Sequence, residues 1–339
     1  MPPAPNESAN GAAVVVEVAQ ETAPGEPAEP PHSRTPAMEA GTICAVAGQS
    51  QRQMRAWAAE YPALYDAKAF DPALFSTLAL AAAFSGPGLT ADGLRMANRV
   101  CLWCFGLDWL VDYAATSRAE VDGLVRRCAA VAGGEAPGAV DDGCTAAEAE
   151  LLRFLADVRD ELAGAAASGA LGDVWLDELR RVLDAMALEW DWKAARAAET
   201  AANSGADADG RRGGPTFEEY LANADNLGFS FVFASHWISS GGGGDVAAVR
   251  EASRAVQRVV RLLNDLGTYK RDLEWGDLNA LLLDRTRAQV EDRIGGLTSE
   301  ARSLLRDAAA TAPELAAYME RQMDFCAGFY GVTDFWGAL

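Results

Sequence analysis

Residues 261–281 read RLLNDLGTYKRDLEWGDLNAL. Within them Asn264, Thr268 and Asp272 lie at i, i+4 and i+8, the spacing that stacks side chains on one face of an α-helix. That face carries an amide oxygen, a hydroxyl and a carboxylate. All three are hard donors suited to Mg²⁺, which keeps some of its waters and often shares phosphate oxygens. Neither asparagine nor threonine is a strong helix former, so propensity does not account for them inside a helical run. Arg261 stands one turn before Asn264, and Lys270 and Arg271 sit beside Asp272. These three cations are the candidates for holding a phosphate that metals bridge.

Outward from this stretch the helical period continues in both directions. Met54, Trp57, Tyr61, Leu64 and Tyr65 recur at three- and four-residue spacing within 51–68. Further helical runs are predicted at about 72–84, 92–116, 118–132, 146–166, 172–199, 216–239, 245–273, 277–294, 298–310 and 313–331. Alanine and leucine are abundant, β-branched alternation is rare, and no turn signal joins two strand-like runs. Glycine-rich breaks at 133–143, 203–215 and 241–244 separate the helices. The expectation is an all-α, single-domain bundle of about ten helices around a central apolar cavity, spanning residues 46–339. Residues 1–45, rich in Pro, Ala and Glu, bury too little apolar surface to offset their ordering entropy and are expected to be disordered.

The chain has 339 residues and carries 49 acidic against 29 basic side chains, a net charge of −20. Such a surface repels phosphate, so nucleic acid and anionic membranes are not expected partners. No run approaches the ~20 apolar residues that span a bilayer, and no secretory signal is visible. The expected location is cytoplasmic. Six cysteines are thinly spread, and Cys101 and Cys104 lack a second pair or a nearby histidine, which reads as buried core thiols. His32 and His236 are the only histidines, too few for histidine-based zinc chemistry or a serine–histidine–aspartate triad.

A second acidic segment is Asp108-Trp109-Leu-Val-Asp112. Two carboxylates one helical turn apart in an apolar surround repel each other unless a cation compensates, and a divalent metal would do so. Aromatic residues recur near both acidic segments, among them Trp103, Phe105, Trp109, Phe229, Phe231, Phe233, Trp237 and Tyr269. Together they suit a cavity that receives an apolar substrate and stabilises cations on ring faces. Asp141-Asp142, in a Gly/Pro loop, reads as a solvated turn.

These residues resemble the class I terpene synthase family. Asp108 to Asp112 is similar to its aspartate-rich DDxxD motif, with Trp109 in place of the second Asp, and Asn264, Thr268 and Asp272 match its (N/D)Dxx(S/T)xxx(E/D) metal motif. The likeness covers about residues 50–336. Within the family, RLLNDLGTYKRDLEWGDLNAL is similar to the RLLNDxxxxKRExxxGxLNA stretch of kaurene-synthase-like diterpene cyclases. Glu219–Ala224 resembles their EYMxNA segment, and Phe329–Phe335 their terminal FYxxxDxF. Ala224 stands where many bacterial sesquiterpene cyclases carry a pyrophosphate-sensing arginine, which favours the kaurene-like group.

The resemblance implies a Mg²⁺-dependent diterpene synthase. It would ionise a C20 allylic diphosphate, either geranylgeranyl diphosphate or a copalyl-type bicyclic diphosphate supplied by a separate class II cyclase. About three Mg²⁺ are implied, with Mn²⁺ as a substitute: two on Asp108 and Asp112, one on Asn264, Thr268 and Asp272. Arg261, Lys270 and Arg271 would face the diphosphate, and Phe105, Trp109, Ala224, Gly228 and Tyr330 would line the cavity. Gly228 would allow a helix break within 225–230. The alternatives are a sesquiterpene synthase acting on farnesyl diphosphate and a non-catalytic helical protein that binds Mg²⁺ and diphosphate. A monomer or homodimer is expected.

Overall fold

The computed structural model describes residues 35–139, 143–202 and 214–337. Among them are twelve α-helices: α1 (Pro36–Ala58), α2 (Pro62–Tyr65), α3 (Pro72–Ser85), α4 (Arg95–Trp109), α5 (Arg118–Ala132), α6 (Ala146–Ala163), α7 (Ser168–Ala202), α8 (Phe217–Ala222), α9 (Phe229–Ser239), α10 (Val246–Trp275), α11 (Arg287–Ala309) and α12 (Pro313–Tyr330). The all-α expectation holds. Helix α10 packs against α9, α11 and α12, while α4 and α7 close on α9 from the other side. Among the described residues no helix is long and apolar enough to cross a membrane.

Local signals explain most boundaries. Thr216 and Thr286 form capping boxes with Glu219 and Gln289, each side chain satisfying the other's backbone N–H. Trp103, Trp237, Phe154 and Phe231 are fully buried, each worth about 2–3 kcal/mol of transfer free energy.

Three segments depart from the sequence expectation, and a fourth breaks where it was expected to. The first helix begins at Pro36, ten residues before the expected boundary at 46. Thr35 accepts a hydrogen bond from the Met38 N–H at 3.3 Å, and Pro36 suits the first turn, where its missing N–H costs nothing. The remaining tail residues lie outside the described part of the chain, as do Asp141-Asp142 and most of the 203–215 loop.

The run expected at 92–116 is not one α-helix: Leu110–Ala114 winds as a π-helix, closed by the Ala115 N–H on the Leu110 carbonyl at 2.9 Å. Within 216–239 the break expected at 225–230 is present: a 3₁₀ turn at Ala224–Leu227 and Gly228 at φ 70° interrupt the run. A side chain there would suffer both the left-handed backbone and a Cβ 3.1 Å from the Cys104 sulfur.

The expected helices 277–294 and 298–310 become a loop followed by one continuous α11. Gly295 and Gly296 cost about 1 kcal/mol each in a helix. The buried stripe Val290, Leu297, Ala301, Leu305 and Ala308 on that helix outweighs them.

Candidate active site

A cavity of about 200 Å³ opens between α3, α4, α7, α9, α10 and α12. Its apolar wall includes Leu78, Phe229, Val232, Val260, Phe335 and Trp336. Its polar wall carries six carboxylates, Asp108, Asp112, Glu189, Asp272, Asp277 and Asp334, against three cations, Lys193, Arg261 and Arg271. An anionic ligand would meet net repulsion there unless further positive charge arrived with it.

The carboxylates register this crowding. Burial, and then the neighbouring Asp277 carboxylate, push Asp108 up to about 6, while Arg271 acts in the opposite direction. Burial and then Asp108 push Asp112 well above the ordinary range. Burial likewise raises Glu189 and Asp272. Asp108 ends the last turn of α4 and Asp112 lies in the π segment, a helical variant that recurs at functional sites. The two carboxyls remain within hydrogen-bonding reach of one another.

The second segment is organised differently. The Thr268 hydroxyl donates to Asp272 Oδ2 at 2.5 Å and also lies 3.0 Å from the Asn264 carbonyl. Asn279, completely buried, donates to the same Asp272 oxygen and to the Asp265 carbonyl, both at 2.8 Å. Gly276, at φ 76°, ends α10 and turns the chain so that the Asp277 N–H bonds the Asp272 carbonyl at 2.8 Å. That turn delivers both Asn279 and Asp277 to the site. Tyr330 of α12 hydrogen-bonds Asn264.

Arg271 pairs with Asp334 at 2.8 Å and reaches Asp272 at 3.3 Å, while its Nε is buried without a partner. Arg261 is committed. It pairs with Glu189 at 2.8 Å, approaches Asp265 to 3.7 Å, and donates to the Tyr220 hydroxyl while lying over the Tyr220 ring. Glu189 also accepts from the Asn226 amide.

The cavity thus gathers Asp108, Asp112, Asn264, Asp272, Arg261, Arg271, Phe105 and Tyr330 from the residues expected in the sequence. Thr268 stands behind its lining, joined to it through Asp272. Four expectations fail. Lys270 is exposed and outside the cavity. Trp109 is not part of the lining but packs on Phe70 and Trp336 at 5.9 and 6.2 Å between centroids. Ala224 is buried in the 3₁₀ turn and Gly228 abuts Cys104, neither facing the cavity.

The structure adds Lys193, Glu189, Asp277, Asn279 and Trp336, which sequence reasoning passed over. Asn279 alone carried a signal, since it lies in the quoted LNA triplet. Cys101 and Cys104 are free thiols at the cavity wall, and burial pushes Cys101 up to about 12, so it stays protonated.

Do these residues fit a divalent metal? Among the described residues no three Asp, Glu, His or Cys side chains converge tightly enough to hold one alone. The oxygen-only donor set fits once the amide of Asn264, the hydroxyl of Thr268 and ligand oxygens are counted, and the surplus of acid over base asks for cations of that hardness.

Residues 99–284 match the family described as terpene synthase family 2, C-terminal metal binding. The chain is 28% identical over 293 residues to ent-pimara-9(11),15-diene synthase of Streptomyces sp. strain KO-3988, covering 84% of this chain and 90% of that protein. Its fold is similar to that of 2-methylisoborneol synthase from Streptomyces coelicolor A3(2), solved with Mg²⁺ and geranyl-S-thiolodiphosphate, at a TM-score of 0.63 and 16% identity over 87% of this chain and 93% of that one. Linalool/nerolidol synthase from Streptomyces clavuligerus, solved with 2-fluorogeranyl diphosphate, gives a TM-score of 0.58 and 18% identity over 84% and 97%.

Proposed function

Since the chain belongs to the class I terpene synthases, metal-using lyases that act on prenyl diphosphates, we propose that its substrate is a C20 allylic diphosphate and its product a diterpene. The observation that carries the metal-dependent diphosphate chemistry in this reading is the cavity itself, lined by apolar residues and by twice as many acids as bases. The likeness of residues 261–281 to the kaurene-like stretch, and the diterpene synthase relative, support the chain length.

Asp108 and Asp112 would hold part of a Mg²⁺ cluster, and Asn264, Thr268 and Asp272 the rest, with Mn²⁺ a substitute. Bound there, the metals would neutralise the diphosphate and make it a better leaving group. The protein's own residues do the remainder. Asn279 and Thr268 hold the Asp272 carboxylate in one orientation. Arg271, with its free Nε, receives diphosphate oxygens. Arg261 anchors the wall through Glu189 and Asp265 rather than meeting the ligand. The allylic C–O bond breaks with its electron pair leaving on diphosphate, and the carbocation cyclises against Phe105, Phe229 and Trp336, whose ring faces stabilise positive charge. Proton loss or water capture ends the reaction.

The test is a substrate panel. Purified protein with Mg²⁺ is incubated with farnesyl, geranylgeranyl and copalyl-type diphosphates, and extracts are analysed by gas chromatography and mass spectrometry. A diterpene hydrocarbon or alcohol from a C20 substrate is expected, and the copalyl-type arm reports whether a separate class II cyclase supplies it. Product from farnesyl diphosphate alone would make it a sesquiterpene synthase. No product, with Mg²⁺ and diphosphate still bound, would make it a binding protein.

A further inference from the structure

Three cations line the cavity, and they are not equally free. Arg261 is neutralised by two buried acids before any ligand arrives. Arg271 is shared between Asp334 and Asp272. Lys193 is held by fewer partners. It projects from α7 one helical turn after Glu189, so both line the cavity from one face of that helix.

The Lys193 ammonium donates to Asp277 and to the backbone carbonyl of Asp112 at 3.3 Å, and lies 5.7 Å from the Tyr113 ring centroid. An ammonium has three donors on a flexible stem, so two contacts leave one to spend and the group can re-aim by bond rotation. Burial alone would lower its pKa, yet Asp112 and Asp277 raise it, so the charge is kept. Its place is between the two acidic segments: Asp112 ends the first, and Asp277 follows the second by the Gly276 turn. A ligand seated on both segments therefore lies within reach of this side chain.

We propose that Lys193 is a diphosphate-binding residue, stored on Asp277 in the free protein and transferred to a diphosphate oxygen when ligand and metal arrive. It supplies from α7 the cation that neither Ala224 nor the exposed Lys270 provides. The assignment rests on the proposed reaction and deepens it. Asp277, relieved of its partner, gains free oxygens at the moment divalent cations enter, so the exchange does not strand a buried carboxylate.

Titration calorimetry with inorganic diphosphate in saturating Mg²⁺ tests it on wild type, Lys193→Gln and Lys193→Arg, with helicity checked by circular dichroism. Glutamine keeps an N–H donor on a stem one atom shorter and removes the charge, while arginine keeps the charge. Diphosphate affinity is expected to fall about 10- to 100-fold in Lys193→Gln and to stay within about threefold of wild type in Lys193→Arg. Unchanged affinity in the glutamine variant overturns the assignment. Equal loss in both variants also overturns it, because the position then serves shape rather than charge. Wild-type protein that binds no diphosphate with Mg²⁺ overturns the proposed function itself, an outcome read before either variant is made.

Discussion

The two acidic segments face one cavity but are built on opposite plans. Around Asp272 the candidate ligands are already arranged: Thr268 and Asn279 fix one carboxylate oxygen and Arg271 reaches the other. Around Asp108 and Asp112 nothing comparable exists. Those two carboxyls meet chiefly each other and Asp277, on a backbone that changes from α to π between them, and burial raises both. One segment spends hydrogen bonds to hold a geometry; the other stores repulsion that only added cations relieve. A site made this way would bind metal and anionic ligand together, because each would relieve what the other meets.

The largest effect expected follows from removing a ligand on the arranged side. Asn264→Ala should lower turnover about 10³-fold or more with helicity unchanged, and retained activity would remove Asn264 from the metal set. Asn279→Ala comes next. Asn279 would not touch the metal itself, yet its loss should cost about 10- to 100-fold in metal affinity by freeing Asp272, measured by Mn²⁺ titration. Unaltered affinity would mean that Asp272 needs no positioning.

The stored repulsion should show in pH. With Asp108 at about 6 in the metal-free protein, metal must displace a proton below that value and meets a ready carboxylate above it. Mn²⁺ affinity should therefore fall at least tenfold per unit as pH drops below about 6, and should keep rising above it while Asp112, held higher, loses its proton. A flat profile between pH 5 and 7 would show that the first segment carries no such load.

The smallest effect separates the two plans most finely. In metal-free protein, Asp112→Asn should raise stability by about 1 kcal/mol, since it removes a like charge beside Asp108. Asp272→Ala should lower it by about 1–3 kcal/mol, since Thr268 and Asn279 lose their acceptor. Denaturant melts of the two variants with chelator present check the signs; equal signs would erase the contrast.

What was legible in the sequence follows the same division. Asn264, Thr268 and Asp272 stood out because a straight helix translates spacing directly into a face. Asp108 and Asp112 were legible as a pair, but not the π winding that carries Asp112, which leaves no mark in residue type. Lys193 and Glu189 belong to a third helix, and their place at the site comes from how α7 packs on α9 and the 3₁₀ turn. Asp277 arrives through one left-handed glycine. The gap expected between 294 and 298 closes for the converse reason: the stripe that α11 buries overrides the helix cost of Gly295 and Gly296. Lys270 sits beside Asp272 in sequence, yet successive residues on a helix point about 100° apart, and it faces outward.

The decisive measurement is release of inorganic diphosphate from geranylgeranyl and copalyl-type diphosphates, followed in a coupled assay with Mg²⁺ and with excess chelator. Release that saturates with Mg²⁺ and stops on chelation is expected of a cavity with six acids and three bases. Release that continues at the same rate in chelator, or none from either C20 substrate with Mg²⁺ present, would contradict it.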